Sequence, residues 1–164
     1  MLVFGAALCL WNFLQTADLD ARCTRANRSL DPDSAFPVAV DPGRVGSYPA
    51  VSNSGAGYFY DDVLEYRVWF STDTGDRYQA FAQWEPADAF SRSRSGAEPA
   101  LALVRQLEHI DEPRPGVYAA VVGERFTEWR VEWLKGAHRG PTSIADFLQH
   151  PRAMRTAEAA PDER

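Results

Sequence analysis

From Leu64 onward the chain alternates. Leu64, Tyr66, Val68 and Phe70 fall on one side of an extended backbone, and Glu65, Arg67 and Trp69 on the other. A period of two rich in aromatic and β-branched residues predicts a strand. The turn cluster "STDTGD" follows, and then "RYQAFAQW" alternates again with Tyr78, Ala80, Ala82 and Trp84 on one side, so the pair reads as a hairpin. In "EPADAFSRSRSGAEP", Pro86 suits the first turn of a helix, with Ala87, Ala89 and Phe90 turned inward and Gly96 and Pro99 ending it. "ALALVRQLEHI" predicts a strand with Leu101, Leu103 and Leu107 in the core. "DEPRPG" turns the chain, and "VYAAVV" returns as far as a break at Gly123. "RFTEWRVEWL" predicts one further strand, and "PTSIADFLQ" a closing helix. The order strand, strand, helix, strand, strand, strand, helix predicts an α+β fold. It has two layers: a mostly antiparallel sheet with one short helix on a face, and a small C-terminal helix.

This regular pattern occupies about residues 58–150 of the 164. Before it, residues 25–57 are rich in Pro, Ser, Gly, Asp and Asn. They predict a linker or a strap laid on the domain surface, because Pro32, Pro37, Pro42 and Pro49 forbid a long helix or a central strand. Residues 1–24 form an apolar N-terminal extension that opens with the uncharged run "MLVFGAALCLWNFL". That run is shorter than the roughly 20 residues of a membrane span, and no Lys or Arg precedes Arg22 to make a signal-peptide n-region. It reads as a short buried helix or an upstream extension, with a secretory signal and a surface-docking helix as alternatives. Residues 151–164 read as a polar tail.

Acidic residues outnumber basic ones, 23 to 17, giving a net charge of -6. Nucleic acid is therefore not an expected partner, because phosphate backbones need a concentrated positive face. Cys9 and Cys23 belong to neither a CxxC nor a zinc-spaced set, which suits a reducing, cytoplasmic setting.

The candidate chemistry is sparse. Asp61 and Asp62 precede the first strand, where neighbouring side chains point in opposite directions and two carboxylates do not converge. His109, Asp111 and Glu112 stand together at a strand end and are the candidates for a metal-dependent enzyme. There is no G-x-S-x-G and no P-loop. Trp129 and Trp133, four residues apart on an expected strand, make either core or an exposed aromatic patch. As a patch they would bind a protein or small ligand with Arg130 and Arg125 as polar partners. These residues favour a non-catalytic binding module without a cofactor.

The phrases "GYFYDDVLEYRVWF", "GAEPALALVRQLEHIDEPRPGVY", "ERFTEWRVEWL" and "GPTSIADFL" together resemble a small bacterial family whose members often carry a GNAT-type acetyltransferase label. The resemblance covers about residues 48–148. It implies acetyl-CoA as cofactor, backbone groups near Gly55 and Gly57 against its phosphates, and Tyr118 or Glu128 as acid or base. The GNAT phosphate loop reads [RQ]-x-x-G-x-[GA]. The nearest fragment here, "SNSGAG", has Ser52 where Arg or Gln belongs and leads into a strand. The acyl-CoA-dependent N-acetyltransferase thus stands as the alternative to the binding module.

Overall fold

The structure, a computed structural model, describes residues 36–50 and 57–151. The N-terminal apolar run, both cysteines, Gly55 and the polar tail beyond residue 151 lie outside them. Four strands form one antiparallel sheet: β1 (Asp62–Thr72), β2 (Gly75–Phe81), β3 (Leu101–Arg114) and β4 (Val117–Arg130), in the order β2-β1-β3-β4. Helix α1 (Trp84–Ser93) connects β2 to β3, and helix α2 (Ser143–Gln149) follows the sheet. The domain is α+β, with helices on one side of an antiparallel sheet.

Two departures from the sequence pattern have physical causes. β4 runs unbroken through Gly123, because a register shift between Gln106 and Glu108 absorbs the irregularity that a strand break would otherwise express. Two expected strands are therefore one. The segment Val131–Leu134 is then a 3₁₀ turn rather than a strand, so Trp129, Val131 and Trp133 do not share a strand face. The turn instead buries Val131 and Leu134, as the tighter 3₁₀ winding brings residues three apart onto one side.

One face of the sheet carries the main core. Tyr66, Val68, Ala102, Val104 and Trp129 pack there with Ala87 of α1 and with Val131 and Leu134. Phe90 of α1 meets Phe81 and Phe70 at ring separations of 5.4 and 6.0 Å. Ala89, expected inward, is exposed, because a helix lying on a flat sheet buries only a narrow stripe. A smaller cluster of Phe59, Ile110, Ile144 and Phe147 anchors α2 under the far end of β3 and β4.

Trp129 is 1% exposed, so it belongs to the core and cannot be a surface contact. Trp129→Ala should cost about 3–5 kcal/mol, read as a fall in the urea midpoint. Trp133 is only half-buried, and its ring lies 5.7 Å from the Arg130 guanidinium. Its replacement by Ala should cost well under half as much.

Residues 36–50 form a strap around the sheet. Phe36 starts on the core face, edge-on to Trp84 at 4.9 Å. Ala39 and Val40 then donate backbone hydrogen bonds to Ala82 and Val63, lying against β1 where β2 has ended. Beyond a 3₁₀ turn at Pro42–Arg44, capped by the Asp41 carboxylate on the Gly43 N–H, the strap reaches the opposite face, where Tyr48 packs on Leu64 and Leu103. Leu64 lies on this second face because a bulge between Val63 and Glu65 shifts the register of β1 against β3.

Candidate functional site

The second face divides into a closed half and an open half. In the closed half, Glu65, Leu103 and Glu128 stand side by side on β1, β3 and β4. Arg67, two residues beyond Glu65 and on the same face, joins the two carboxylates. Its Nε donates to Glu65 Oε1 at 2.7 Å and its Nη1 to Glu128 Oε1 at 2.8 Å. Arg67 and Glu65 are fully buried. The strap closes over them: Arg67 donates to the carbonyls of Pro49 (2.6 Å) and Ala50 (3.4 Å), and the Gly46 N–H donates to Glu65 Oε2 at 2.6 Å. The Tyr78 ring lies 4.4 Å from the Arg67 guanidinium, and Trp69 Nε1 donates to Glu128. One buried cation thus ties three strands, through β2's tyrosine, to the strap.

The open half is a groove of about 970 Å³ between the strap and the end of the sheet. Its apolar lining comes from Val40, Tyr48, Leu64, Leu107 and Phe126, and its charged rim from Asp41, Arg44, Asp61, Asp62, Arg105 and Glu124. Leu107, expected in the core, is 41% exposed and lines this groove, because it falls in the irregularity of the β3–β4 ladder. The two adjacent acids both line the groove, and each finds its own arginine. Asp62 pairs with Arg105, and Asp61 accepts from Arg139 Nε at 2.7 Å and from the Leu107 N–H at 2.6 Å. Burial lowers the affinity of Arg105 for its proton. Its bond to Asp62, with the charges of Asp62, Glu124 and Asp61, outweighs that and holds the group above its ordinary value. Burial likewise raises the Tyr48 hydroxyl, opposed by Arg44 and reinforced by Asp41 and Glu65.

The other sequence candidates do not gather. His109 Nε2 lies 3.6 Å from Asp111 Oδ1, but Glu112 turns back to accept the Gly116 N–H at 2.7 Å. Among the described residues no group of three or more His, Cys, Asp or Glu stands close enough to hold a metal ion. Burial lowers the pKa of His109, and so does Arg125, with Asp111 opposing. Arg125 is not beside Trp133. Its Nε donates to Gln106 Oε1 at 2.6 Å, in a buried polar knot with Thr127 and Gly57. Burial lowers the Arg125 pKa against the pull of Asp111.

Gly57 is buried, and the chain runs from it through Tyr58, Phe59 and Tyr60 into β1 with no helix starting there. Tyr118 packs edge-on against Phe147 at 5.1 Å, while Glu128 is engaged with Arg67 and Trp69. These two stand ten residues apart on one strand, roughly 30 Å, so they belong to opposite ends of the sheet.

Comparison with protein-family models, with curated proteins and with solved structures finds no match for this chain. Among the described residues, no helix is long and apolar enough to cross a membrane. The groove residues Tyr48, Arg44 and Arg105 and the bridge Glu65–Arg67–Glu128 were missed by sequence reasoning. The available signal was the opposite charge of Glu65 and Arg67 at strand spacing on one face.

Proposed function

We propose that this chain is a non-catalytic binding module of the cytosol, and that its ligand is a small amphipathic molecule carrying a cationic group. The supporting observation is the groove, whose volume and apolar floor suit a small molecule. On its rim Asp41, Asp61, Asp62 and Glu124 outnumber Arg44, Arg105 and the Arg139 that pairs with Asp61, which favours a cation over an anion. The rim carboxylates Asp61 and Asp62 are held by arginines, as groups that orient a ligand are, rather than set against a nucleophile that they could activate.

The test is calorimetric titration with two probes of one shape, 2-naphthylmethylamine and 2-naphthylacetate. The amine binds and the acid binds more weakly. Glu124→Lys, a change at an exposed rim position, weakens the amine by about fivefold or more, since one unit charge at contact distance is worth about 1 kcal/mol even in water. Absence of heat from both probes overturns the groove as a binding site. Equal binding of both leaves the groove and removes the cationic ligand.

A further inference from the structure

The ladder between β1 and β3 ends at the pair Asp62 and Arg105. Beyond it, among the described residues, β3 has only β4 as a partner, so β3 and β4 continue to Pro115 and Gly116 as a two-stranded ribbon. The ribbon is supported on one face by α2, through Ile110 and Tyr118 against Ile144 and Phe147. A two-stranded ribbon is marginal alone and gains stability from a third strand. Among the described residues β4 is the last strand on its side of the sheet.

That edge changes character halfway along. Over the core, residues 124–130 carry Glu124, Arg125, Glu128 and Arg130. On the ribbon, Val117–Gly123 reads "VYAAVVG", without a charge or a proline. Val117 is 51% and Val122 84% exposed, and Ala119, Ala120 and Gly123 are also exposed. Edge strands are ordinarily guarded by Lys, Pro, other charges or shortness. The opposite edge, β2, is short and carries Asp76 and Arg77. The distal half of β4 has none of these guards; only the register shifts near its two ends, opposite Gln106–Glu108 and opposite Asp111–Arg114, work against pairing there.

We propose that this half of β4 pairs antiparallel with the same segment of a second copy of the chain, joining two sheets into one across a two-fold axis at Ala120. The segment is self-complementary. The axis sets Val117 against Gly123 of the partner subunit, Tyr118 against the partner subunit's Val122 and Ala119 against the partner subunit's Val121. It brings Glu124 opposite Gly116 of the partner subunit, where the chain is turning, so no like charges meet. Antiparallel pairing about a two-fold also gives a closed dimer rather than a fibre. A contact of seven uncharged residues a side is below the area of a permanent interface, so the dimer is concentration-dependent.

Sedimentation velocity of the full chain over roughly a hundredfold range of concentration tests this. The wild type passes from monomer to dimer. Ala120→Lys sets two ammonium groups against each other at the axis and weakens association about fivefold. Val122→Lys, at the most exposed apolar position, does the same, and both variants keep the wild-type urea midpoint at concentrations where the wild type is monomeric. A wild type that stays monomeric throughout overturns the proposal. So does a dimer that persists in both lysine variants, and so does protection of the Val117–Gly123 amides in a monomer, which would put another segment on the edge.

Discussion

Arg67→Ala should destabilise the domain by about 3–5 kcal/mol, a large part of the stability of an ordinary domain. The size follows from what is left behind. Glu65 is fully buried and Glu128 largely so, and Arg67 is the cation between them. Without it two carboxylates face each other under the strap, the carbonyls of Pro49 and Ala50 lose their donor, and the Tyr78 ring loses the guanidinium. Lysine should rescue little, since its point charge cannot reach two carboxylates and two carbonyls as a planar fork does. Urea unfolding checks the loss. The triple replacement Glu65→Leu, Arg67→Met and Glu128→Leu separates the two meanings of the number. If it recovers most of the stability, the cost lies in stranded charge rather than in the bridge itself.

Gly57→Ala should cost about 2–4 kcal/mol, although alanine adds only a methyl group. A Cβ at that position would overlap Gln106 Nε2 and lie 3.1 Å from Arg125 Nη2. A side-chain end on the surface would swing aside. Gln106 is fully buried and held at both ends: its Nε2 donates to the Phe59 carbonyl at 2.5 Å, and its Oε1 accepts from Arg125 at 2.6 Å and from Thr127 at 3.3 Å. Moving it breaks those bonds inside the protein, where no water replaces them. A double variant, Gly57→Ala with Gln106→Ala, should cost less than the two single losses added together, because the second change removes the obstacle the first creates. Simple additivity in the urea midpoints would place the strain elsewhere.

The parts of the fold that rest on local pattern could be read directly from the chain. The alternation of Tyr66 and Val68, the turn at Gly75 and the apolar stripe of Ala87 and Phe90 each express a rule that acts over a few residues. The parts that depend on register could not. A bulge at Leu64 moves one leucine to the other face, and an irregularity opposite Leu107 turns an expected core residue into a wall of the groove. Neither leaves a mark in composition. Trp129 was ambiguous between core and patch, and only its place in the ladder beside Ala102 and Tyr66 decides for the core. The closed half of the site was hidden for another reason. Glu65 and Arg67 look like a solvated face until the strap crosses them, and that crossing is a contact between segments far apart in sequence. Asp61 and Asp62 bind different arginines, and these, Arg139 and Arg105, lie on other elements that periodicity does not connect.

The claim on which the functional account turns is that the groove beside the strap receives the ligand. Mapping amide shifts by heteronuclear NMR while 2-naphthylmethylamine is added tests it most directly. The account predicts that the perturbed amides cluster at Tyr48, Leu64, Arg105, Leu107 and Phe126, and that His109, Asp111 and Trp133 stay still. Shifts centred on Trp133 and Arg130, or scattered without a centre, would contradict it.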